Sequence, residues 1–153
     1  MTFIALAMAT VLLVLAALHA YWGLGGFWPG TDALSLSRTV AGFDAVAKPL
    51  SAATKPPSSA MCFMVALALA LAALFALILG GVTANPFPLF ILAPATLILT
   101  LVFLGRGVAG FTAAWRRHTP MQPFARLDRL YYSPLCLLIG AGFLTLAIRG
   151  LTT

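Results

Sequence analysis

Four long apolar stretches constrain the fold of this chain more than any other feature of its sequence. They cover about residues 3–22, 60–82, 89–114 and 133–149. A helix of ~20 residues is ~30 Å long, which is the thickness of the hydrocarbon core of a bilayer. The stretches therefore predict an all-α polytopic membrane protein, a four-helix transmembrane bundle that forms a single domain.

The composition favours lipid, rather than a protein core, as the surroundings of these stretches. Hydrophobic residues make up 62% of the chain and charged residues only 8%, against about half and a quarter in soluble domains. Too few polar side chains remain to cover so much apolar surface in water. The alternative that the first stretch is a cleavable signal peptide is disfavoured, because no Lys or Arg precedes Arg38.

The connections between the stretches differ in length. The first connection, residues 31–59, is long, and we expect Thr31 to cap a short amphipathic helical segment within it. Apolar residues recur there at helical spacing: Leu36, Val40, Phe43 and Ala47. The link between the second and third stretches is short, which predicts antiparallel neighbours. Pro94 predicts either a kink or a late start of the third helix.

Basic residues are concentrated in the two long connections, residues 31–59 and 115–132. These residues are Arg38, Lys48, Lys55, Arg116, Arg117, Arg126 and Arg129. The opposite face has only Arg149 and the amino terminus. Because cytoplasmic loops carry an excess of Lys and Arg, we expect both long connections in the cytoplasm and both termini in the periplasm.

A set of polar, aromatic and thiol side chains falls near the predicted cytoplasmic ends of the stretches. The set is His19, Trp22, Arg106, Asp128, Tyr132 and Cys136. An arginine inside a span must find a partner or extend its side chain to the headgroups. Two alternatives therefore remain open for Arg106: it snorkels to the headgroups, or it is buried and pairs with Asp128 or with an anionic ligand.

Two members of this set have reactive side chains. An intramembrane histidine such as His19 is a candidate functional residue, although a neutral histidine bonded inside a bundle is the commoner case. Ser133 and Pro134 are typical of an N-cap and first helical residue, which would place Cys136 near a positive helix end. The alternative is an inert buried thiol, as for Cys62.

No metal or cofactor is expected. The only conceivable ligand set, His19 with Cys62 and Cys136, contains no closely spaced pair. Small residues instead suggest contacts between helices. We expect Gly110 with Ala114, and Cys136 with Gly140, to face other helices.

Two segments make the chain resemble a family of small bacterial membrane proteins of unknown function, the DUF3995-like family. They are H-A-Y-W-G-L-G-G-F-W-P-G (residues 19–30) and F-A-R-L-D-R-L-Y-Y-S-P-L-C-L-L (residues 124–138). The residues on the family pattern are His19, Trp22, Gly25, Gly26, Asp128, Tyr132, Ser133, Pro134 and Cys136. The resemblance implies a four-span protein but supplies no activity.

The sequence contains no P-loop, G-x-G-x-x-G, H-E-x-x-H, C-x-x-C or G-x-S-x-G motif. Our first hypothesis is a non-enzymatic accessory subunit or small-molecule- or lipid-binding bundle of the bacterial inner membrane. Its partners would be the lipid bilayer and a larger membrane complex or second copies of the chain, and not nucleic acid. One alternative is a membrane enzyme acting on a lipid or isoprenoid head group, in which Arg106 binds an anion and His19 or Cys136 reacts. Another is a small oligomeric transporter.

Overall fold

The computed structural model describes residues 1–42 and 58–150, and all regular structure within them is helical. The elements in chain order are α1 (Thr2–Gly23), α2 (Ala33–Val40), α3 (Ser59–Leu79), α4 (Leu89–Ala109), α5 (Ala113–His118), α6 (Phe124–Leu127), a π-helix (Asp128–Tyr132) and α7 (Ser133–Gly150). Four helices are long and apolar enough to cross a membrane: α1, α3, α4 and the continuous run Phe124–Arg149. The predicted all-α fold with four spans is confirmed.

The third span is shorter than predicted. The apolar stretch continues to Ala114, but α4 ends at Ala109, where the N–H of Gly110 donates to the carbonyl of Arg106 and the N–H of Phe111 donates to the carbonyl of Val108. Apolar composition continues through this turn, so hydropathy alone places the end of the span too late. The helix α4 begins at Leu89 and contains Pro94 in its interior. The alternative of a late helix start after Pro94 is therefore excluded.

The fourth span begins earlier than predicted. Ser133 is not an N-cap, because the helical run starts at Phe124 and continues through the π-helix into α7. In an α-helix the ring of Pro134 would clash with the carbonyl four residues earlier. The wider π turn immediately before it gives the ring room. The expectation that Cys136 lies at a positive helix end is therefore wrong.

The amphipathic segment of the first connection is present in part as α2. Asp32, and not Thr31, is its N-cap, and Leu36 is its buried apolar residue. Phe43 and Ala47, which were expected to extend it, lie outside the described residues, as do Lys48 and Lys55. The next helix, α3, begins at an N-cap serine, Ser58, whose hydroxyl accepts the N–H of Met61 at 3.3 Å.

The bundle consists of two closely packed antiparallel pairs, α1 with α3 and α4 with α7, and α7 also contacts both helices of the other pair. Its apolar core uses the first half of α1, the second half of α3, the start of α4 and mainly the second half of α7. The core residues are Ala5, Met8, Ala9, Leu12, Ala72, Ala73, Ala76, Ile78, Leu79, Leu92, Ile139, Phe143 and Leu146. The core therefore lies towards the end of the bundle where α1 begins and α3 ends. We call the opposite end, where α1 and α4 end, the polar end.

Glycines permit the close approach of α4 and α7. A Cβ atom at Gly107 would lie 2.6 Å from the side chain of Leu137, and one at Gly140 would lie 2.8 Å from the backbone nitrogen of Leu104. Both distances are too short for real carbon atoms, so only glycine fits at this crossing. Such packing replaces the hydrophobic driving force that helices lack in lipid.

Candidate functional site

The polar end contains an ion pair between Arg106, in the last turn of α4, and Asp128, the first residue of the π-helix. The Nη2 atom of Arg106 donates to Oδ1 of Asp128 at 2.5 Å. The side chain of Asp128 is only 3% exposed, whereas that of Arg106 is 30% exposed. Of the two alternatives that the sequence leaves for Arg106, the structure has the interior pair and not the snorkelling side chain.

The carboxylate of Asp128 accepts hydrogen bonds at both oxygens. Its Oδ1 also accepts from the hydroxyl of Ser133 at 3.3 Å, and its Oδ2 accepts from the indole N–H of Trp115 at 2.9 Å. The hydroxyl of Ser133 accepts in turn from Nη1 of Arg106 at 3.3 Å. A buried charge is tolerated only when it is paired and hydrogen-bonded, and these contacts meet that requirement. We call Arg106, Trp115, Asp128 and Ser133 the polar network.

The π-helix is what allows Asp128 and Ser133 to meet. Residues five apart in an α-helix point about 140° away from each other around the axis. In this turn the N–H of Ser133 donates to the carbonyl of Asp128, five residues before it. This wider turn brings the two side chains onto one side of the helix, facing Arg106. Single π turns of this kind are frequent at functional sites.

Trp115 covers the charged pair from the side of α5. The guanidinium carbon of Arg106 lies 4.6 Å from the centroid of the indole ring, a cation–π contact. The ring is held by the start of α5, where the hydroxyl of Thr112 accepts the N–H of Trp115 at 3.2 Å. After α5, the buried hydroxyl of Thr119 donates to the carbonyl of Trp115 at 2.9 Å. The network therefore joins α4, α5 and the π-helix.

The helix α2 docks beside the polar network. The hydroxyl of Tyr132 donates to the carbonyl of Thr39 in α2 at 3.3 Å. The ring of Tyr132 lies 5.8 Å from that of Phe124, which is 2% exposed and packs against Gly42. This approach requires Gly42, because it has a positive φ of 68° and a Cβ there would overlap the phenyl ring. Tyr132 thus links the first connection to the fourth span.

His19 and Trp22 form a separate group at the end of α1. The Nδ1 atom of His19 lies 2.8 Å from the carbonyl oxygen of Leu15, and its ring meets that of Trp22 edge to face at 4.8 Å. The indole N–H of Trp22 donates to the carbonyl of Trp28 at 2.7 Å. The contacts of His19 and Trp22 are therefore with their own helix and the turn that follows it, and not with the polar network.

The two cysteines are free thiols. Cys62 is buried in the first turn of α3, and Cys136 is partly buried in α7. Within residues 1–42 and 58–150, no three His, Cys, Asp or Glu side chains lie close enough together to hold a metal ion. Among the described residues, the polar end is thus characterised by the charged and hydrogen-bonded polar network.

The expected helix-contact residues have different surroundings. Gly140 faces Leu104 of α4. Gly110 lies after the end of α4, close to Ser133 and Asp128, while Ala114 is exposed in α5. Because the chain turns between them, Gly110 and Ala114 do not lie on one helix, and of the two only Gly110 faces another helical segment of the described chain.

Trp115 and Ser133 were not predicted to belong to the polar network. Ser133 was interpreted as a helix cap, and no role was assigned to Trp115. No sequence signal marks either residue, because the five-residue spacing of Asp128 and Ser133 brings their side chains together only in a π turn, and Trp115 simply follows the third apolar stretch.

Comparison with known protein families gives a match to most of the chain. The model of the family described as "Protein of unknown function (DUF3995)" matches residues 12–143, which include the whole polar network. No curated protein and no solved structure matches the chain. The chain therefore belongs to the DUF3995 family, a family of unknown function, and it has four helices long and apolar enough to span a membrane.

Proposed function

We propose that this protein is a non-enzymatic helical bundle of the bacterial inner membrane that acts as an accessory subunit or lipid-binding protein. Its polar end would lie in the cytoplasm, with both termini in the periplasm. The observation that carries the proposal is that both carboxylate oxygens of Asp128 accept hydrogen bonds from within the protein, from Arg106, Ser133 and Trp115. The buried carboxylate of Asp128 is therefore used to hold the structure together.

A catalytic role would require groups that are free to react. A general base needs an oxygen or nitrogen within reach of a substrate proton, but the carboxylate of Asp128 is buried and accepts internal hydrogen bonds at both oxygens. An anion-binding arginine needs an uncompensated charge, but Arg106 is neutralised by Asp128. His19, the proposed acid or base, has its Nδ1 atom bonded to the carbonyl of Leu15 in its own helix and has no contact with the polar network. These contacts favour a structural role for the polar network.

The distribution of charge supports the orientation. Exposed arginines, Arg116, Arg117, Arg126 and Arg129, all follow α4 and precede α7, at the polar end. Basic residues beside spans are retained on the cytoplasmic side. Two exposed aromatic residues of that end, Trp28 and Tyr131, suit the level of the headgroups.

The accessory role can be tested with a photo-crosslinking amino acid introduced at Leu130, which is 53% exposed at the polar end. A matched probe at Ile98, which is 60% exposed on the middle of α4, reports contacts made inside the bilayer. We expect illumination of cells to give adducts of discrete mass from position 130 and mainly lipid adducts from position 98. Identical patterns from the two positions would contradict a dedicated docking face.

The enzymatic alternative is tested by comparing the lipids of membranes that contain the wild-type protein, Arg106→Gln or Cys136→Ser. We expect the three lipid profiles to be the same by mass spectrometry. A lipid product that is present with the wild type and lost in both variants would overturn the proposal in favour of an enzyme that modifies head groups.

A further inference from the structure

Three arginines at the polar end have exposed side chains with no ion pair or hydrogen bond to any described residue. They are Arg117 in α5, Arg126 in α6 and Arg129 in the π-helix. Arg116 differs, because its Nη1 donates to the carbonyl of Phe111 at 2.8 Å. We call Arg117, Arg126 and Arg129 the basic rim. Three uncompensated guanidinium groups can each donate hydrogen bonds to a phosphate.

The polar network holds the segments that carry the basic rim in a fixed arrangement. The bond from the indole of Trp115 to Asp128 ties α5 to the π-helix. Arg117 follows Trp115 by two residues, and Arg129 follows Asp128 directly. Asp128 is also the only acidic residue from residue 111 to the end of α7, and it is buried. No exposed carboxylate of these segments therefore competes for the arginines.

Large apolar side chains are exposed among the same arginines. Phe111, Leu130 and Tyr131 are 42%, 53% and 63% exposed, and the last two directly follow Arg129. Neighbouring apolar and cationic groups fit the boundary of a bilayer, where acyl chains and headgroups meet. A soluble anion would match the arginines but not these apolar side chains.

We propose that the basic rim binds the phosphate headgroups of anionic phospholipids, with Phe111, Leu130 and Tyr131 against the adjoining acyl chains. This inference rests on the proposed function, because it places the polar end at the cytoplasmic leaflet, and it identifies the class of lipid that this end takes. Each arginine beside an anionic leaflet contributes about 1 kcal/mol, or about fivefold in affinity. Three together contribute on the order of 100-fold.

The test uses the purified full-length protein in a neutral detergent, with added phosphatidylglycerol or phosphatidylcholine. Native mass spectrometry counts the bound lipids, and the melting temperature reports stabilisation. We expect the wild type to prefer phosphatidylglycerol. Arg117→Gln, Arg126→Gln and Arg129→Gln should each lower that preference about fivefold, and the triple variant should abolish it. Because the three side chains are exposed, the melting temperature without lipid should stay at the wild-type value.

Arg149→Gln is the matched control, since it removes the same charge near the opposite end of the bundle and should leave the preference unchanged. Equal binding of the two lipids by the wild type, or an unchanged preference in the triple variant, would overturn the inference. So would stabilisation by inorganic phosphate alone equal to that by phosphatidylglycerol. Failure here leaves the crosslinking and lipid-profile results untouched, so the two proposals fail separately.

Discussion

The guanidinium of Arg106 and the carboxylate of Asp128 are 22 residues apart in sequence and in direct contact. Their pairing closes the segment between α4 and the π-helix into a loop whose middle, α5, is held by Trp115 against the same carboxylate. The charge that is most costly to place in a membrane protein is thus used to fix the geometry of its polar end.

Asp128→Asn should destabilise the protein by about 2–3 kcal/mol. Breaking a buried ion pair costs about 3–5 kcal/mol, and the partial exposure of Arg106 reduces that figure because water can solvate the arginine left behind. The asparagine keeps the shape of the side chain and an acceptor for Trp115, so the loss reports the charge together with the acceptor that Oδ1 offers to Arg106 and Ser133. Chemical unfolding in detergent micelles measures the change.

A double-mutant cycle with Arg106→Met separates the pair from its surroundings. The double variant should be less destabilised than the sum of the two single variants, since it leaves no unpaired charge. Arg117→Gln is the control for simple loss of positive charge and should unfold like the wild type. Additive effects of Arg106→Met and Asp128→Asn would show that the two residues are not energetically coupled.

Two glycines five residues apart should respond differently to alanine. In Gly110→Ala the new methyl group would overlap the hydroxyl of Ser133 and crowd Asp128, whereas in Gly105→Ala it would meet nothing within 4 Å. We expect Gly110→Ala to lower the unfolding free energy by about 1–3 kcal/mol, the usual cost of overpacking. Gly105→Ala should be neutral or slightly stabilising, because alanine favours the helix.

The melting temperatures of these two glycine variants in the same detergent are the measurement. Equal melting temperatures would mean that the approach between Gly110 and Ser133 is not close in the folded protein. A destabilised Gly105→Ala would indicate a contact of α4 with a second chain in the micelle.

The four spans could be predicted from the sequence because the thickness of the bilayer requires apolar stretches of about 20 residues. Such stretches can be read from the composition of a single chain. The sequence also offers Asp128 as a candidate partner for Arg106, since few carboxylates are available to an arginine inside a span, but it leaves snorkelling open as the alternative. The helix ends near the site were predicted less well. Gly110 ends α4 within a stretch that is still apolar, and Ser133 looks like a cap although the helix passes through it.

The position of His19 could not be predicted for a related reason. Depth along a span follows from counting residues, and it places His19 at the same end as Arg106. The neighbours of the histidine depend on how the two helix pairs pack. They cannot be inferred from α1 itself, because its nearly uniform apolar composition gives the helix little amphipathic character. The structure has His19 bonded to its own helix at Leu15.

The start of α2 should respond to acid. Two hydrogen bonds from Ser35 hold the pKa of Asp32 below its usual value of 3.8. The bond from the backbone N–H has the larger effect, and the bond from the hydroxyl group the smaller. Because the folded pKa lies below the unfolded one, the ionised cap stabilises α2 above the unfolded pKa, and this contribution is lost as the pH falls through the folded value. Asparagine caps helices equally well but does not titrate.

The amide resonance of Ser35, followed by NMR in micelles from about pH 6 to about pH 3, measures this change. In the wild type it should move towards its position in an unfolded peptide at the acid end. In Asp32→Asn it should stay in place. The same movement in both proteins would assign the acid response to another group.

The orientation of the bundle can be measured with single cysteines. Ala84, in the link between α3 and α4, and Gln122, between α5 and α6, are both exposed and lie at opposite ends. The background carries Cys62→Ala and Cys136→Ala. A membrane-impermeant maleimide should label Ala84→Cys in spheroplasts, because a short uncharged link is translocated whereas a connection rich in arginine is retained in the cytoplasm. Gln122→Cys should be labelled only after the membrane is permeabilised. The reverse pattern would place the basic rim in the periplasm, away from the cytoplasmic leaflet that the proposed lipid binding requires.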